Sequence, residues 1–600
     1  MIAANDPIMN LINLKKQQKK CNNIYTPLHI GEDGKFIIKD FSMSLINIVL
    51  SQIKDFTQSN YQRIKSTAVL KYIIEATHNH LQDETENILY VLYKNSDHEE
   101  KEVVENIKDI SNKIGVYFNM DTVIPTICRH VLDNDIKNNT QVISNRLLVF
   151  SNLLLCVKDI SINNIKLITN TLKDLDVYQL LTNDYTGNLV YVYVFNIYSN
   201  IVNYLKYYKN NTNNTSSMLS IIRDFHEELF YQLLLLSSAP LLPLEERQKA
   251  PLILINLSKV CGFNNINDLY SLELSFLLEK FNSSHKSWRR NTADRFAFDA
   301  FVKNAGEAID SDTGDNWIKI LEIISDCTES NKDIELRMDM LVLTDKLIED
   351  GNTINNKTNL DDNNNDIANI TNNQQEALNS FSSISFFSEF IIEEVLLPAS
   401  LWKAQRPNNN IRKIAIVCLI KLYKYDLVKE QNTTVKFFNS YISMLKSASD
   451  DDWDCELRNL SIQFIQILLI KNKENNYKNS FLSESEMRDL YPILLKRLDD
   501  SQDENRKAVC FALELFMMIV KDKKNISSTA CEYIFQNSCI HLDDCKEEIR
   551  KAVYSFLNIL ISIKDKDYDY YINKVFDEET KRFQNTDYLN KLKESFRLKN

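Results

Sequence analysis

Apolar residues recur along most of this chain at the three- and four-residue spacing of a helix face, and no long stretch alternates with the period of two that marks a strand. Over residues 143–155, Leu147, Leu148, Phe150, Leu153, Leu154 and Leu155 cover so wide an arc that the helix is expected to be sandwiched between neighbours. Similar helices are predicted at 218–236, 251–260 and 268–281, with Pro240, Pro243 and Pro251 marking breaks or first turns. Two stretches interrupt the pattern. Residues 207–217 read as a short polar loop, and 351–375 are Asn-rich and lack a repeating apolar face, as a linker or insertion would.

Beyond that interruption the pattern repeats. Leu397-Pro398 precedes Ile411-Arg412-Lys413-Ile414-Ala415, and Tyr491-Pro492 precedes Asn505-Arg506-Lys507-Ala508-Val509, with 14 residues from Pro to Arg in each. Aligned on the arginine, Arg412, Arg458, Arg506 and Arg550 follow one another at intervals of 46, 48 and 44 residues. That is the period of HEAT or armadillo helix pairs. Ile414, Leu460, Ala508 and Ala552, then Leu419, Ile465, Leu513 and Leu557, stand at matching offsets and are expected in the core of each second helix. The acidic pairs Asp451-Asp452, Asp499-Asp500 and Asp543-Asp544 fall in the turn before that helix. There Asp452, Asp500 and Asp544 are placed to cap it and to meet arginines of the same or the next repeat as a ladder. The first unit departs from the rule, with Gln405 and Arg406 in place of the acids.

The expected fold is therefore all-α, a right-handed α-α superhelix of the HEAT/armadillo-like α-solenoid kind. Residues 1–350 would hold degenerate helical repeats, 351–380 a low-complexity Asn-rich linker or insertion, and 381–600 the C-terminal HEAT repeats. A lone helix pair cannot bury both of its apolar faces, so pairs stack and share one running core. A length of 600 residues is too great for a single compact core. The scarcity of Gly and Pro, 8 and 9 residues, argues against sheets, barrels and ligand-cradling loops, which depend on them.

A net charge of −12 weighs against general binding to nucleic acid, whose footprint is basic. Lys15, Lys16, Lys19 and Lys20 form the clearest cationic cluster and are read as a solvated N-terminal face. The first residues lack the apolar core of a secretory signal, and a cytoplasmic location is expected. The most apolar windows, 189–205 and 229–242, are interrupted by Asn196, Asn200 and Asn203 or by Ser237, Ser238 and Pro240. They are read as buried helices, with no membrane insertion. Scattered cysteines such as Cys21, Cys128, Cys156 and Cys261 form no C-x-x-C pair and are expected to be small core residues.

Searching for chemistry yields little. No phosphate-loop, dinucleotide, nucleophile-elbow or H-E-x-x-H motif occurs, and only Gly31 and Gly34 lie close together among the glycines. His78 and His80 point to different faces of a helix, and the acidic run around Trp453 lacks the central Gly and final Glu of a calcium loop. No catalytic residue, metal or cofactor is assigned. Trp288, Arg289 and Arg290 have the composition of a contact hot spot if exposed, and of inter-repeat packing with locally paired arginines if not. Trp402 and Trp453 pose the same choice.

Glu393-Glu394-Val395-Leu396-Leu397-Pro398, Leu401-Trp402-Lys403-Ala404 and Ile411-Arg412 resemble a Leu-Pro, Trp-Lys-Ala-Gly-Arg, Ile-Arg string of the dynein axonemal assembly factor 5 family. The likeness continues through Leu490-Tyr491-Pro492 and His541-Leu542-Asp543-Asp544 to Ile549-Arg550, covering about 390–560. Trp288 to Ile309 is similar in character, through Phe298-Asp299-Ala300 and Ala305-Gly306. This chain has Gln405-Arg406 where the family has Gly-Arg. The resemblance implies a cytoplasmic, non-catalytic scaffold for preassembling axonemal dynein arms, with dynein chains and chaperones as partners and no cofactor. Its expected working surface is the concave face lined by the second helices of the C-terminal repeats. An importin-β-like transport adaptor and a phosphatase or kinase scaffold are the alternatives.

Overall fold

The computed structural model describes residues 44–599 apart from 56–58, 134–138, 176–184, 212–221, 223–224, 239–242, 311–313, 359–383, 429–430, 475–481, 524–525 and 564–565. Lys15, Lys16, Lys19, Lys20, Cys21, Gly31 and Gly34 lie outside the described residues, as does the greater part of the Asn-rich stretch. Among the described residues there are helices and turns but no strand. They form two compact units. The first comprises the chain up to Leu277 with Thr292–Phe301, and the second Leu278–Asn291 with the chain from Val302 onward.

In the first unit the main helices are α1 (Asn60–Thr77), α2 (Thr85–Asn95), α3 (Lys101–Tyr117), α4 (Met120–Val131), α5 (Thr140–Leu155), α6 (Ile162–Asp174), α7 (Tyr185–Asn211), α8 (His226–Ser238) and α9 (Ala250–Cys261). Helices α1, α3, α5, α7 and α9 pack each on the next in one layer, and α2, α4 and α6 in another. Short polar residues start these helices where glycine and proline are absent. Ser59 makes a reciprocal capping box with Gln62, and the side chains of Asn119, Asn139 and Ser161 cap α4, α5 and α6. Of the broad apolar face on α5, Leu147, Leu148, Phe150, Leu153 and Leu154 are buried, and Leu155 is exposed at the helix end.

The expected loop at 207–217 begins late. Helix α7 continues to Asn211 because Lys206 and Lys209 donate to Asn256 Oδ1 (2.7 Å) and the Lys259 carbonyl (2.6 Å), clamping it to α9. Residues 212–217 lie outside the described residues.

The second unit contains α10 (Asp315–Thr328), α11 (Ile334–Thr358), α12 (Arg406–Lys424), α13 (Gln431–Ser449), α14 (Cys455–Glu474), α15 (Glu484–Lys496), α16 (Asp503–Lys523), α17 (Ser528–Cys539), α18 (Glu547–Leu560), α19 (Lys566–Thr580) and α20 (Asp587–Lys599). Again there are two layers. Helices α11, α12, α14, α16, α18 and α20 stack in order as second helices, and α13, α15, α17 and α19 stack as first helices. This is the α-solenoid architecture, in which each pair touches mainly its neighbours. Helix α11 runs through Gly351, the start of the expected linker, to Thr358. Gly351 is buried there, so close to Ile384 that an added Cβ would stand 2.2 Å from Ile384 Cγ2. The stack thus passes directly from α11 to α12, on either side of the Asn-rich stretch.

The core stripe of the second helices differs from the expected one. Leu419, Ile465, Leu513 and Leu557 are fully buried as expected, but Ile414, Leu460, Ala508 and Ala552 are half-exposed. Two residues span about 200° of helix, which turns a side chain away from its reference position. The buried positions nearer the reference are Ala415, Ser461, Val509 and Val553, one step further along. The arginine itself holds the first core slot in the two leading repeats, where Arg412 and Arg458 are buried.

Candidate functional site

The ladder runs between neighbouring repeats. Arg458, on the first turn of α14, donates from Nε and Nη2 to both carboxylate oxygens of Asp500 in the next turn (2.7 and 3.0 Å), a bidentate pair almost sealed from water. Its third nitrogen closes its own turn on the Asp451 carbonyl at 2.8 Å. Arg506 likewise pairs with Asp544 of the following turn and with Asp503. Arg412, fully buried, donates to the Ser400 carbonyl (3.2 Å) and Ser447 Oγ (3.0 Å), with Asp451 at 3.6 Å. Burial pushes the Arg412 guanidinium down. The bonds to Asp500 push Arg458 up.

Two expected members do not pair as expected. Asp452 is exposed and stands outside the ladder, and Asp451 takes its place. The turn before α14 runs over 450–454, whereas 500–502 and 544–546 precede α16 and α18 after a 3-10 turn, so the pairing acid stands four residues before α14 and three before the others. Among the described residues Arg550 meets no acid of a following repeat; it donates to the Asp544 and Cys545 carbonyls of its own turn at 2.6 and 3.4 Å.

The other acid of each turn forms a second row. Asp450 reaches Lys496 (2.6 Å) and Arg497 (3.6 Å), Asp499 approaches His541 (3.8 Å), and Asp543 accepts from the backbone of Gln584 and Asn585 (3.0 and 2.7 Å). A third row escaped the sequence reading: Lys413 pairs with Glu456 (2.8 Å), Lys507 with Glu548, and Asn459 with Asn505 (2.7 Å). Its signal was the polar residue following each ladder arginine. These rows fix the register of successive second helices.

On the exposed face of that layer, α12, α14 and α16 leave a groove of about 560 Å³. Ile420, Gln463, Gln466, Glu504, Lys507 and Phe511 line it. Gln466 donates to the Ala508 carbonyl at 2.8 Å, and Phe511 is 49% exposed, an unusual place for a phenyl ring. Amide groups, an aromatic ring and both charge signs in one furrow suit a polypeptide segment better than a small apolar ligand.

Trp288 is buried and cannot be a contact residue in this fold. Its ring stands edge-on to Phe281 and His285, and its indole N–H donates to Ser284 Oγ at 3.0 Å. Arg290 pairs with Glu335 at 2.7 Å, as the local-pairing reading had it, and Arg289 is exposed. Trp402 and Trp453 do not pack between repeats: both lie in turns before second helices and are 63% and 95% exposed. Among the described residues no cluster of three or more His, Cys, Asp or Glu could hold a metal ion, and no helix is long and apolar enough to cross a membrane. Cys128, Cys156 and Cys261 are buried in the core. Burial pushes the Cys128 thiol up to about 11 and Cys261 to about 12, away from reactive thiolate.

Residues 32–219 match the family model described as dynein axonemal assembly factor 5, HEAT-repeat domain. Dynein axonemal assembly factor 5 of Xenopus laevis is 21% identical over 500 residues, 82% of this chain and 52% of that protein. The Homo sapiens protein of the same name is 22% identical over 314 residues, 52% of this chain and 32% of that one. The chain therefore spans about half the length of the first relative. The crystal structure of Kap121p bound to Nup53p aligns with 95% of this chain and 57% of its own at a TM-score of 0.34 and 10% identity. The family model falls on the half with degenerate repeats, whereas the strings that resemble the family lie at about 390–560, with Trp288 to Ile309 similar in character.

Proposed function

Residues 32–219 make this chain a relative of the dynein axonemal assembly factor 5 family, and from that premise we propose that it is a non-catalytic cytoplasmic scaffold for preassembly of axonemal dynein arms. Its clients would be dynein heavy or intermediate chains, held together with chaperones. The match to the family's HEAT-repeat domain carries the proposal. The groove on the second-helix layer of the C-terminal repeats supports it by offering a polypeptide-sized furrow on a register-locked support. Stacked helix pairs suit such work because their surface is long and continuous, so one chain can hold several partner segments at once.

The test is affinity purification of the tagged full chain from flagellated cells, with mass spectrometry of what stays bound. Axonemal dynein chains and chaperones are expected, and they should be lost when residues 390–560 are deleted or Phe511 is replaced by Glu. Dynein binding that survives the deletion would remove the groove from the proposal. Recovery of a GTP-bound small GTPase with nuclear cargo, or of a phosphatase or kinase catalytic subunit, would replace the assembly reading by a transport or signalling one.

A further inference from the structure

One rung of the ladder is inverted in charge. Arg337 lies on the first turn of α11, as Arg458 lies on that of α14, and it is buried. Its Nε donates to the Thr328 carbonyl at 3.0 Å and its Nη1 to Asn408 Oδ1 at 3.3 Å. Both acceptors are neutral. Where the next turns supply Asp451, Asp500 or Asp544, three or four residues before the second helix, this turn supplies Trp402 and Lys403. Burial, and after it the Arg337 charge, hold the Lys403 amine below its usual range, and no carboxylate opposes them. Lys403 and Arg406 make no hydrogen bond or ion pair among the described residues.

The same turn leads into a helix start that no side chain caps, where Pro407 has no N–H and the Asn408 N–H donates to the Gln405 carbonyl at 3.1 Å. Helix α12 has 19 residues, and its N-cap, Gln405, provides no side-chain bond to the first turn. An N-terminus of that length concentrates about half a positive charge, which favours an anion. Beside it Leu401 and Trp402 are 55% and 63% exposed.

We propose that the turn from Leu401 to Asn408 docks an acidic segment of a protein partner, a carboxylate filling the place of the missing ladder acid while Leu401 and Trp402 take a neighbouring apolar side chain. The buried guanidinium supplies a fixed positive potential from behind, where solvent screens it little. Lys403 and Arg406 supply the donors in front, and the indole gives flat apolar area at small entropic cost. Each observation points to one chemistry. Two free cations and the positive end of a helix dipole over a buried, acid-free arginine repel a basic segment, and a wholly apolar one would leave the cations unpaired. The identity of the dynein clients plays no part in this site.

The experiment is fluorescence anisotropy on the full chain, using short labelled peptides in which Glu alternates with Leu or Phe, and the same peptides with Gln for Glu. The Glu peptides are expected to bind, more weakly as salt is added, and the Gln peptides to bind at least roughly tenfold less tightly. Lys403→Asp restores the acid to the rung. It should weaken the Glu peptides by roughly tenfold or more while raising Tm, because Arg337 then has its own counter-ion. Trp402→Ala should weaken binding several-fold, and Trp453→Ala, one turn away, should leave it unchanged. If Lys403→Asp does not fold, the pair Lys403→Gln and Arg406→Gln is measured instead. Equal binding of Glu and Gln peptides, no binding of either, or an unchanged affinity in the Lys403 variants would overturn the proposal.

Discussion

Arg458 and Asp500 form a buried pair in which each charge depends on the other. Asp500 keeps Arg497 at 3.7 Å and the Gln502 N–H at 3.0 Å when Arg458 is gone, but its bidentate partner is lost. Arg458→Met should therefore destabilise the chain by about 3 kcal/mol, as expected for one stranded member of a buried pair. Arg458→Met with Asp500→Leu should recover most of that loss in denaturant titrations, because no charge then remains buried. The pair also titrates. Burial pushes the Asp500 carboxyl up, but hydrogen bonds from Arg458, Gln502 and Asn505 outweigh it and hold the group below its usual value. Its stabilisation is complete above the unfolded value of about 3.9 and disappears as pH falls through the lower folded value. Tm of the wild type should drop in that acid window, and Asp500→Asn should flatten the drop while lowering Tm at neutral pH. A different strain sits at Gln405, whose φ of 87° is in the region that favours glycine. Gln405→Gly should raise the denaturation midpoint by an amount worth about 1 kcal/mol, at constant m-value.

Helix contacts set a second scale. Gly115 on α3 faces α5 so closely that a Cβ would lie 2.2 Å from the Leu153 carbonyl oxygen. A backbone atom cannot swing aside, so Gly115→Ala must push the two helices apart, at a cost of about 1–3 kcal/mol readable in thermal unfolding. Nothing in the sequence around Gly115 announces that contact, since a helical glycine looks the same whether it faces solvent or a neighbour. The C-terminal repeats were legible because four arginines, their following apolar residues and acidic turns recur at nearly one interval. What stayed hidden was register: the longer turn before α14, entered without a 3-10 turn, moves the rung from Asp452 to Asp451. Two residues past the arginine the helix has turned Ile414 and Leu460 partly out of the core, and three past it Ala415 and Ser461 are buried. The candidate site was legible only in outline. The Arg–Asp ladder stands on recurring residues, whereas the groove joins Ile420, Gln466 and Phe511 from three helices and has no local signature. In the first unit the interlocks use other chemistry. Arg63 donates to Asn95 Oδ1 and the Asp55 carbonyl (both 3.2 Å), and His226 pairs with buried Glu273 at 2.6 Å, so no single residue type recurs to reveal the period.

Across the whole chain, stability is a sum of helix pairs and their interfaces, because each pair rests on its immediate neighbours. Damage should then stay local, and Arg458→Met gives a way to see it. Its lost bonds join the first turn of α14 to the turn before α16, and α14 also packs on α12. In hydrogen exchange read by mass spectrometry, amides of α12, α14 and α16 should exchange faster in the variant. Those of α1, α3 and α5, in the other compact unit, should be unchanged. Faster exchange along the entire chain would mean that it opens as one cooperative body, and single values of unfolding free energy would then describe it. Local acceleration would mean that the C-terminal repeats can loosen while the N-terminal ones hold, so a client bound to the groove between α12 and α16 would stabilise only the repeats it touches.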